Sequence, residues 1–161
     1  MNKTGKIVSV NVSSKGGVPK YPESEVYIDN YGISGDYHSG KFNKHKKNQE
    51  SNARPITIVA FEVLEEINNL LSINLQPGDL AENITINGCG DLSDLNLGDT
   101  IEIEDEVILY ITGQNDPCSV LNVYHELALK SFINKRGVTA TIIKAGTVKP
   151  GDTYCIIKGN S

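Results

Sequence analysis

Tryptophan is absent from this chain, and phenylalanine and cysteine each occur only three times in 161 residues. So few large aromatics leave no row of stacking platforms for single-stranded nucleic acid. The three cysteines, Cys89, Cys118 and Cys155, cannot all pair within one chain, and none forms a C-x-x-C pair. Neither a disulfide scaffold nor a cysteine-based zinc site is expected. Long apolar runs are missing too: MNKTGKIVSVNV alternates instead of forming a signal peptide or membrane span, so the expected location is the cytoplasm, with no membrane partner. A cationic excess is also lacking. Lys and Arg number 15 against 20 Asp and Glu, a net charge of −5 with both signs interspersed. That argues against a nucleic-acid partner bound through its phosphates. No P-loop, no G-x-G-x-x-G opening a helix and no G-x-S-x-G elbow is present, so nucleotide hydrolysis and serine esterase chemistry have no support.

What is present is a succession of short strand-like segments. The length fits one domain, residues 1–161, able to bury a core without disulfides or a structural metal. IVSVNV (7–12), EVYID (25–29), PITIVA (55–60), NITI (83–86), TIEIE (100–104), VILYIT (107–112), VTATII (138–143) and TYCII (153–157) alternate or are β-branched, between Gly, Pro, Asn or Ser clusters. Asp105 and Glu106 separate two of them as a hairpin. The density of strands predicts a mainly β, barrel-like fold with two or three short helices. One helix is FEVLEEINNLL, where Phe61, Leu64, Ile67, Leu70 and Leu71 form the buried stripe and the glutamates and asparagines face water. A second runs from about Pro117 to Ile133, with Leu121, Tyr124, Ala128 and Phe132 on one stripe. The polar stretch from Ser39 to Arg54 reads as a long surface loop.

Four places carry candidate chemistry. In GQNDPCSVLN, Asp116 is a good N-cap, Pro117 suits the first helical position, and Cys118 falls in the first turn, where free N–H groups favour a thiolate. A small residue filling a tight turn explains the same cysteine equally well. Cys155 reads as strand filler and Cys89 as an exposed, incidental thiol in a glycine-rich turn. In YGISGDYHSGKF, Asp36 and His38 stand two residues apart, able to share one face of an extended segment beyond Gly32 and Gly35. A surface loop with a capping Asp36 and a solvated His38 is the plainer reading. Arg54, just before a strand, can make a bidentate contact to a phosphate, whereas Lys41, Lys44, Lys46 and Lys47 read as solvent-facing. Asn83, behind Glu82 at the start of NITI, can meet a ligand edge or satisfy a turn.

The order of these pieces resembles one family. Gly-x-x-Gly-Asp-x-His at Gly32 to His38, the arginine before strand and helix at Arg54 to Leu71, PGD and ENI at Pro77 to Ile84, LGD at Leu97 to Asp99, Pro117-Cys118, RGV at Arg136 to Val138 and PGD at Pro150 to Asp152 resemble the MOSC domain, named for the C-terminal domain of molybdenum cofactor sulfurases. PCSVLN followed by a helix is most similar to the small stand-alone bacterial members. The resemblance implies a β-barrel-like fold and a role with sulfur or molybdenum cofactor. Cys118 matches the family's cysteine, thought to carry persulfide sulfur or to ligate molybdenum of the pterin cofactor, molybdopterin. Asp36, His38, Arg54 and Asn83 match positions expected to line the pocket, with Arg54 a candidate for the cofactor phosphate. One departure stands out: where many relatives have an arginine three residues before the cysteine, this chain has Asn115, with Asp116 beside it, which makes the pocket less welcoming to an anion.

Three functions follow as expectations. The first is a sulfur carrier or transferase, with Cys118 loaded by a partner cysteine desulfurase; pyridoxal phosphate then belongs to that partner only. A related form is a molybdenum-dependent component reducing N-hydroxylated compounds with a separate electron donor, since the chain has no flavin or iron-sulfur motif. The second is a non-catalytic carrier that hands cofactor to a molybdoenzyme. The third is a plain β-barrel interaction domain.

Overall fold

A computed structural model describes residues 2–160. Its strands are β1 (Lys3–Val12), β2 (Tyr21–Glu23), β3 (Val26–Asp29), β4 (Gly32–Ile33), β5 (Ile56–Ala60), β6 (Ile84–Asn87), β7 (Thr100–Ile103), β8 (Val107–Gln114), β9 (Val138–Lys144), β10 (Gly146–Val148) and β11 (Thr153–Ile157). Helix α1 (Phe61–Leu71) follows β5, while a 3₁₀ turn (Ser119–Val123) and helix α2 (Ala128–Ser131) lie between β8 and β9. The fold is mostly β, as expected.

Seven strands close into a barrel in the order β11-β7-β8-β9-β5-β6-β1, with β1 pairing back onto β11. β2 extends it beyond β1, and β10, β3 and β4 form a small second sheet. Closure depends on the length of β1. Its first residues, Lys3 to Lys6, pair with β11, its middle with β6, and its last, Val10 to Val12, with β2. A register shift between Ile7 and Ser9 bends it from one partner to the next. Every barrel pairing is antiparallel except β5 with β6. Those two are joined by α1 and a long connection, the kind of crossover a parallel pair requires.

β8 shows the physics in its alternation: Val107, Leu109 and Ile111 are buried, and Ile108, Tyr110 and Thr112 between them are not. β5 is buried at every residue, a strand covered on both faces. The hairpin between β7 and β8 turns one residue earlier than the sequence suggests. Glu104 and Asp105 are its central residues, with φ of 51° and 55°, and the Glu106 N–H donates to the Ile103 carbonyl at 2.9 Å. Both angles are those of a primed turn, which suits the twist of the flanking strands.

Helix α1 spans the expected residues but is rotated slightly from the expected face. Val63, Leu64 and Ile67 are buried and Leu70 is 66% exposed. Asn68 does not simply face water: its amide accepts from the Leu75 N–H at 2.6 Å and donates to the Leu75 carbonyl at 3.0 Å, tying the helix to the chain that follows.

The second expected helix is broken in two. Its stripe is nonetheless correct, since Leu121, Ala128 and Phe132 are all buried. Side chains compete with the backbone at the break: Asn122 Oδ1 accepts the Leu129 N–H at 3.0 Å and His125 Nδ1 accepts the Leu127 N–H at 3.0 Å. Cys118 therefore precedes a five-residue 3₁₀ turn, with φ −124° and ψ 149°, and does not sit in the first turn of a long helix. The expectation of a thiolate favoured by the first turn of a long helix has no basis there.

Candidate functional site

The loops around β5, β8 and β9 bring Arg54, Cys118 and Arg136 to one open cavity of about 350 Å³. Cys118 is the exposed cysteine; Cys155 is half-buried in β11. Cys89, expected to be exposed, is buried against the barrel, and burial raises its thiol pKa. Only one of the three thiols is both accessible and in the cavity.

Arg54 and Arg136 are held by neutral groups. Arg54 Nη2 donates to Asn115 Oδ1 at 3.1 Å; Arg136 Nη1 donates to the Asp116 carbonyl at 3.0 Å and its Nη2 to the Leu80 carbonyl at 3.2 Å. In each guanidinium the Nε is buried and has no hydrogen-bond partner among the described residues. Neither forms a salt bridge with a carboxylate among the described residues. Burial lowers the pKa of Arg136, with the nearby Cys118 acting in the opposite direction. Two guanidinium cations line this cavity in a chain of net charge −5, and Asp116, in the same lining, counts against them for an anion.

Asn115, in the position of the relatives' arginine, therefore does not leave the cavity without cations. Its amide oxygen positions Arg54, and Arg136 supplies a second guanidinium. Gly137 makes room for that second arginine's strand: at φ +86°, a Cβ on it would lie 1.9 Å from the Ile58 carbonyl oxygen.

His38 also lines the cavity, together with His45 from the polar loop. Their rings lie 5.7 Å apart, and both contact Tyr37 edge-on. The plain solvated-loop reading of Asp36 and His38 does not hold. Asp36 is wholly buried behind His38, where it pairs with Lys20, a residue no sequence pattern picks out. Burial and the Lys20 charge push the His38 pKa down to about 3, so the ring is neutral at ordinary pH.

Asn83 does not line the cavity, and neither does Asp36. Asn83 Oδ1 accepts the Thr57 N–H at 3.1 Å, and its Nδ2 donates to the Asn11 carbonyl at 3.3 Å. It fastens β1, β5 and β6 together inside the barrel, the structural alternative for this residue. Glu82 beside it is buried as well, accepting from the Gly78 and Leu80 N–H groups and the Thr85 hydroxyl. The four loop lysines stay exposed; Lys44 rests over the Tyr37 ring at 5.0 Å.

The sequence matches the MOSC domain over residues 45–154, more than half of the chain. This chain belongs to the MOSC domain family. A Bacillus subtilis protein, YuaD, whose name assigns it to metal-sulfur cluster biosynthesis, is 28% identical over 78% of this chain and 76% of its own length. The crystal structure of Bacillus subtilis YuaD superposes with a TM-score of 0.88 at 23% identity, covering 99% of each chain. YiiM from Geobacillus stearothermophilus superposes with a TM-score of 0.69 at 19% identity over 96% of this chain and 75% of its own. These likenesses establish a shared MOSC fold.

Among the described residues, no helix is long and apolar enough to cross a membrane, and no cluster of three or more His, Cys, Asp or Glu side chains could hold a metal ion.

Proposed function

We propose that this MOSC protein handles sulfur for a metal-sulfur centre or molybdenum cofactor, with Cys118 as the sulfur-bearing residue. One observation supports this above the others: the accessible thiol of Cys118 shares its cavity with two guanidinium groups, neither of them in a salt bridge with a carboxylate among the described residues. A sulfur carrier needs a thiol that another protein can reach and cations that hold anionic sulfur next to it.

The step is a sulfane transfer. The Cys118 thiolate attacks the outer sulfur of a persulfide on a partner cysteine desulfurase. A new S–S bond forms on Cys118, the partner's S–S bond breaks, and the partner's cysteine leaves as thiolate with the electron pair. No external oxidant or reductant is needed. Pyridoxal phosphate chemistry belongs to the partner. Arg54 and Arg136 stabilise the anionic sulfur through their charge.

The residues also fit the pterin cofactor. The two guanidinium charges suit its phosphate, and Cys118 can meet a metal that arrives with its other ligands already in place. A resident metal held by protein side chains alone has no donor set here, as the described residues contain no three-ligand cluster. When bound, the cofactor would supply the molybdenum centre that receives sulfur. The same features allow a carrier role without turnover, and they favour either reading over a bare interaction domain, which requires neither arginine to lack an anionic partner.

The deciding experiment incubates the protein with a cysteine desulfurase and cysteine, then maps persulfides by alkylation and peptide mass spectrometry. One extra sulfur on the Cys118 peptide, lost in Cys118→Ser, is the expected result. Equal labelling of Cys89 or Cys155 overturns the assignment. Metal analysis of the wild type and Cys118→Ala, purified from cells rich in molybdenum cofactor, separates carrier from transferase: molybdenum that disappears in the variant makes Cys118 a ligand.

A further inference from the structure

The buried pair behind His38 has a consequence for what the cavity can bind. A lysine ammonium has three hydrogens and no acceptor. Lys20 Nζ lies 2.8 and 2.7 Å from the two oxygens of Asp36 and 2.9 Å from His38 Nδ1. Asp36 is already surrounded by donors, since its oxygens also accept the N–H groups of Ser13 and His38, each at 3.1 Å. Two ammonium hydrogens go to the carboxylate, and the third has only the Nδ1 lone pair to meet. A proton on Nδ1, in either the other tautomer or the imidazolium, would set two donors head to head. The ring proton must therefore sit on Nε2, which has no protein partner among the described residues.

The pair has little freedom to rearrange. Lys20 and Asp36 side chains are both fully buried, the Lys20 N–H donates to the Gly78 carbonyl at 2.8 Å, and the Asp36 N–H donates to the Ile33 carbonyl at 2.9 Å. The charged and titratable groups around the imidazole are Lys20, Asp36, Arg54 and His45. Of these, Arg54 and His45 also line the cavity, and Lys20 and Asp36 do not.

We infer that Lys20 and Asp36 are positioning residues that lock His38 into the Nε2–H tautomer, making it a fixed hydrogen-bond donor into the cavity. The group that meets His38 is then an anionic acceptor, such as a phosphate, thiolate or persulfide oxygen or sulfur, and not a metal ion. A metal would need an unprotonated ring nitrogen, and Nδ1 is taken by Lys20. This rests on the anion-handling reading of the cavity, to which it adds a third donor beside Arg54 and Arg136. It also explains why a buried ion pair, costly to desolvate, is placed directly behind the site.

Two measurements on the full chain test it. Long-range proton–nitrogen correlation NMR near neutral pH reads the tautomer directly: a protonated Nε2 and bare Nδ1 on His38 are expected, and a protonated Nδ1 overturns the inference. Inorganic phosphate binding by calorimetry then compares wild type with two variants of this half-buried residue. Gln can place an amide N–H near the Nε2 position, so His38→Gln is expected to keep most of the affinity, while His38→Ala loses about tenfold or more. Equal affinity in wild type and His38→Ala overturns the donor role. If wild type fails to bind phosphate while Nε2 carries the proton, the lysine-set tautomer stands and the anion-handling reading of the cavity falls.

Discussion

Lys20 and Asp36 meet as a bidentate ion pair, 2.8 and 2.7 Å from nitrogen to the two oxygens, with neither side chain exposed to solvent. Such a pair is asymmetric in its energetics. Its net contribution is small because both charges lose hydration, yet removing one partner strands the other. Lys20→Met should lower unfolding free energy by about 3–5 kcal/mol in a denaturant titration. The double variant Lys20→Met/Asp36→Asn should lose less than the single one, because no uncompensated charge is left behind. A double variant as damaged as the sum of its parts would remove this account.

Acid should weaken the fold through His38. Its folded pKa is about 3, below the ordinary 6.5, so the unfolded chain binds the proton more readily between those values. Stability from this group is therefore fully present above about pH 6.5 and is lost as pH falls toward about 3. Thermal melts across that range should show a steeper acid loss in wild type than in His38→Gln. Parallel curves would mean that other groups carry the acid sensitivity.

Thiol chemistry should separate the three cysteines. Iodoacetamide at neutral pH is expected to modify Cys118 first, because it is exposed beside Arg136, and to leave Cys89 untouched until the chain unfolds. Peptide mapping over time checks the order, and early modification of Cys89 would contradict its burial.

Both arginines should matter for anion binding. Arg136→Gln removes a cation next to Cys118 and should cost about tenfold or more in phosphate affinity while slowing Cys118 alkylation. Arg54→Gln should weaken phosphate binding similarly. Asn115→Asp supplies a carboxylate to Arg54 at the same 3.1 Å contact, and should also weaken anion binding, with little change in stability. Unchanged affinity in all three would show that the anion sits elsewhere.

Gly137→Ala should be severe for its size. The new Cβ meets the Ile58 carbonyl at 1.9 Å on a backbone with φ +86°, so both a clash and left-handed strain arise between β9 and β5. A loss on the order of 2 kcal/mol or more is expected in chemical denaturation, and displacement of the adjacent Arg136 should reduce phosphate binding as well.

Much of this molecule is a local matter. Alternation in VILYIT, β-branched density in PITIVA and the spacing of Phe61, Leu64, Ile67 and Leu71 specify strand or helix from neighbours two to four residues apart, and the structure has those elements where periodicity puts them, with the helix face turned to bury Val63. Cys118 and Arg54 also stand out in sequence, one by its polar, proline-led context and the other by its place ahead of a strand. Competition between side chain and backbone was less visible: Asn122 and His125 break a helix whose apolar stripe looks continuous. The three short strands β2, β4 and β10 have too few residues to show any period and exist through their partners.

The chemistry of the site depends on pairs far apart in the chain. Arg54 and Asn115 are separated by 61 positions, Lys20 and Asp36 by 16, and Arg136 and Leu80 by 56. Nothing in GGVPKYP marks Lys20 as buried, and RGV marks Arg136 only as part of a motif. Residue types and periods determined the β architecture, the order of short motifs carried the likeness to the family, and a polar, proline-led context singled out Cys118. Closure of the barrel decided which cations face that cysteine, which asparagine is merely structural, and which nitrogen of His38 holds its proton. Those outcomes depend on burial and on directed contacts between distant segments, and both are properties of the folded chain alone.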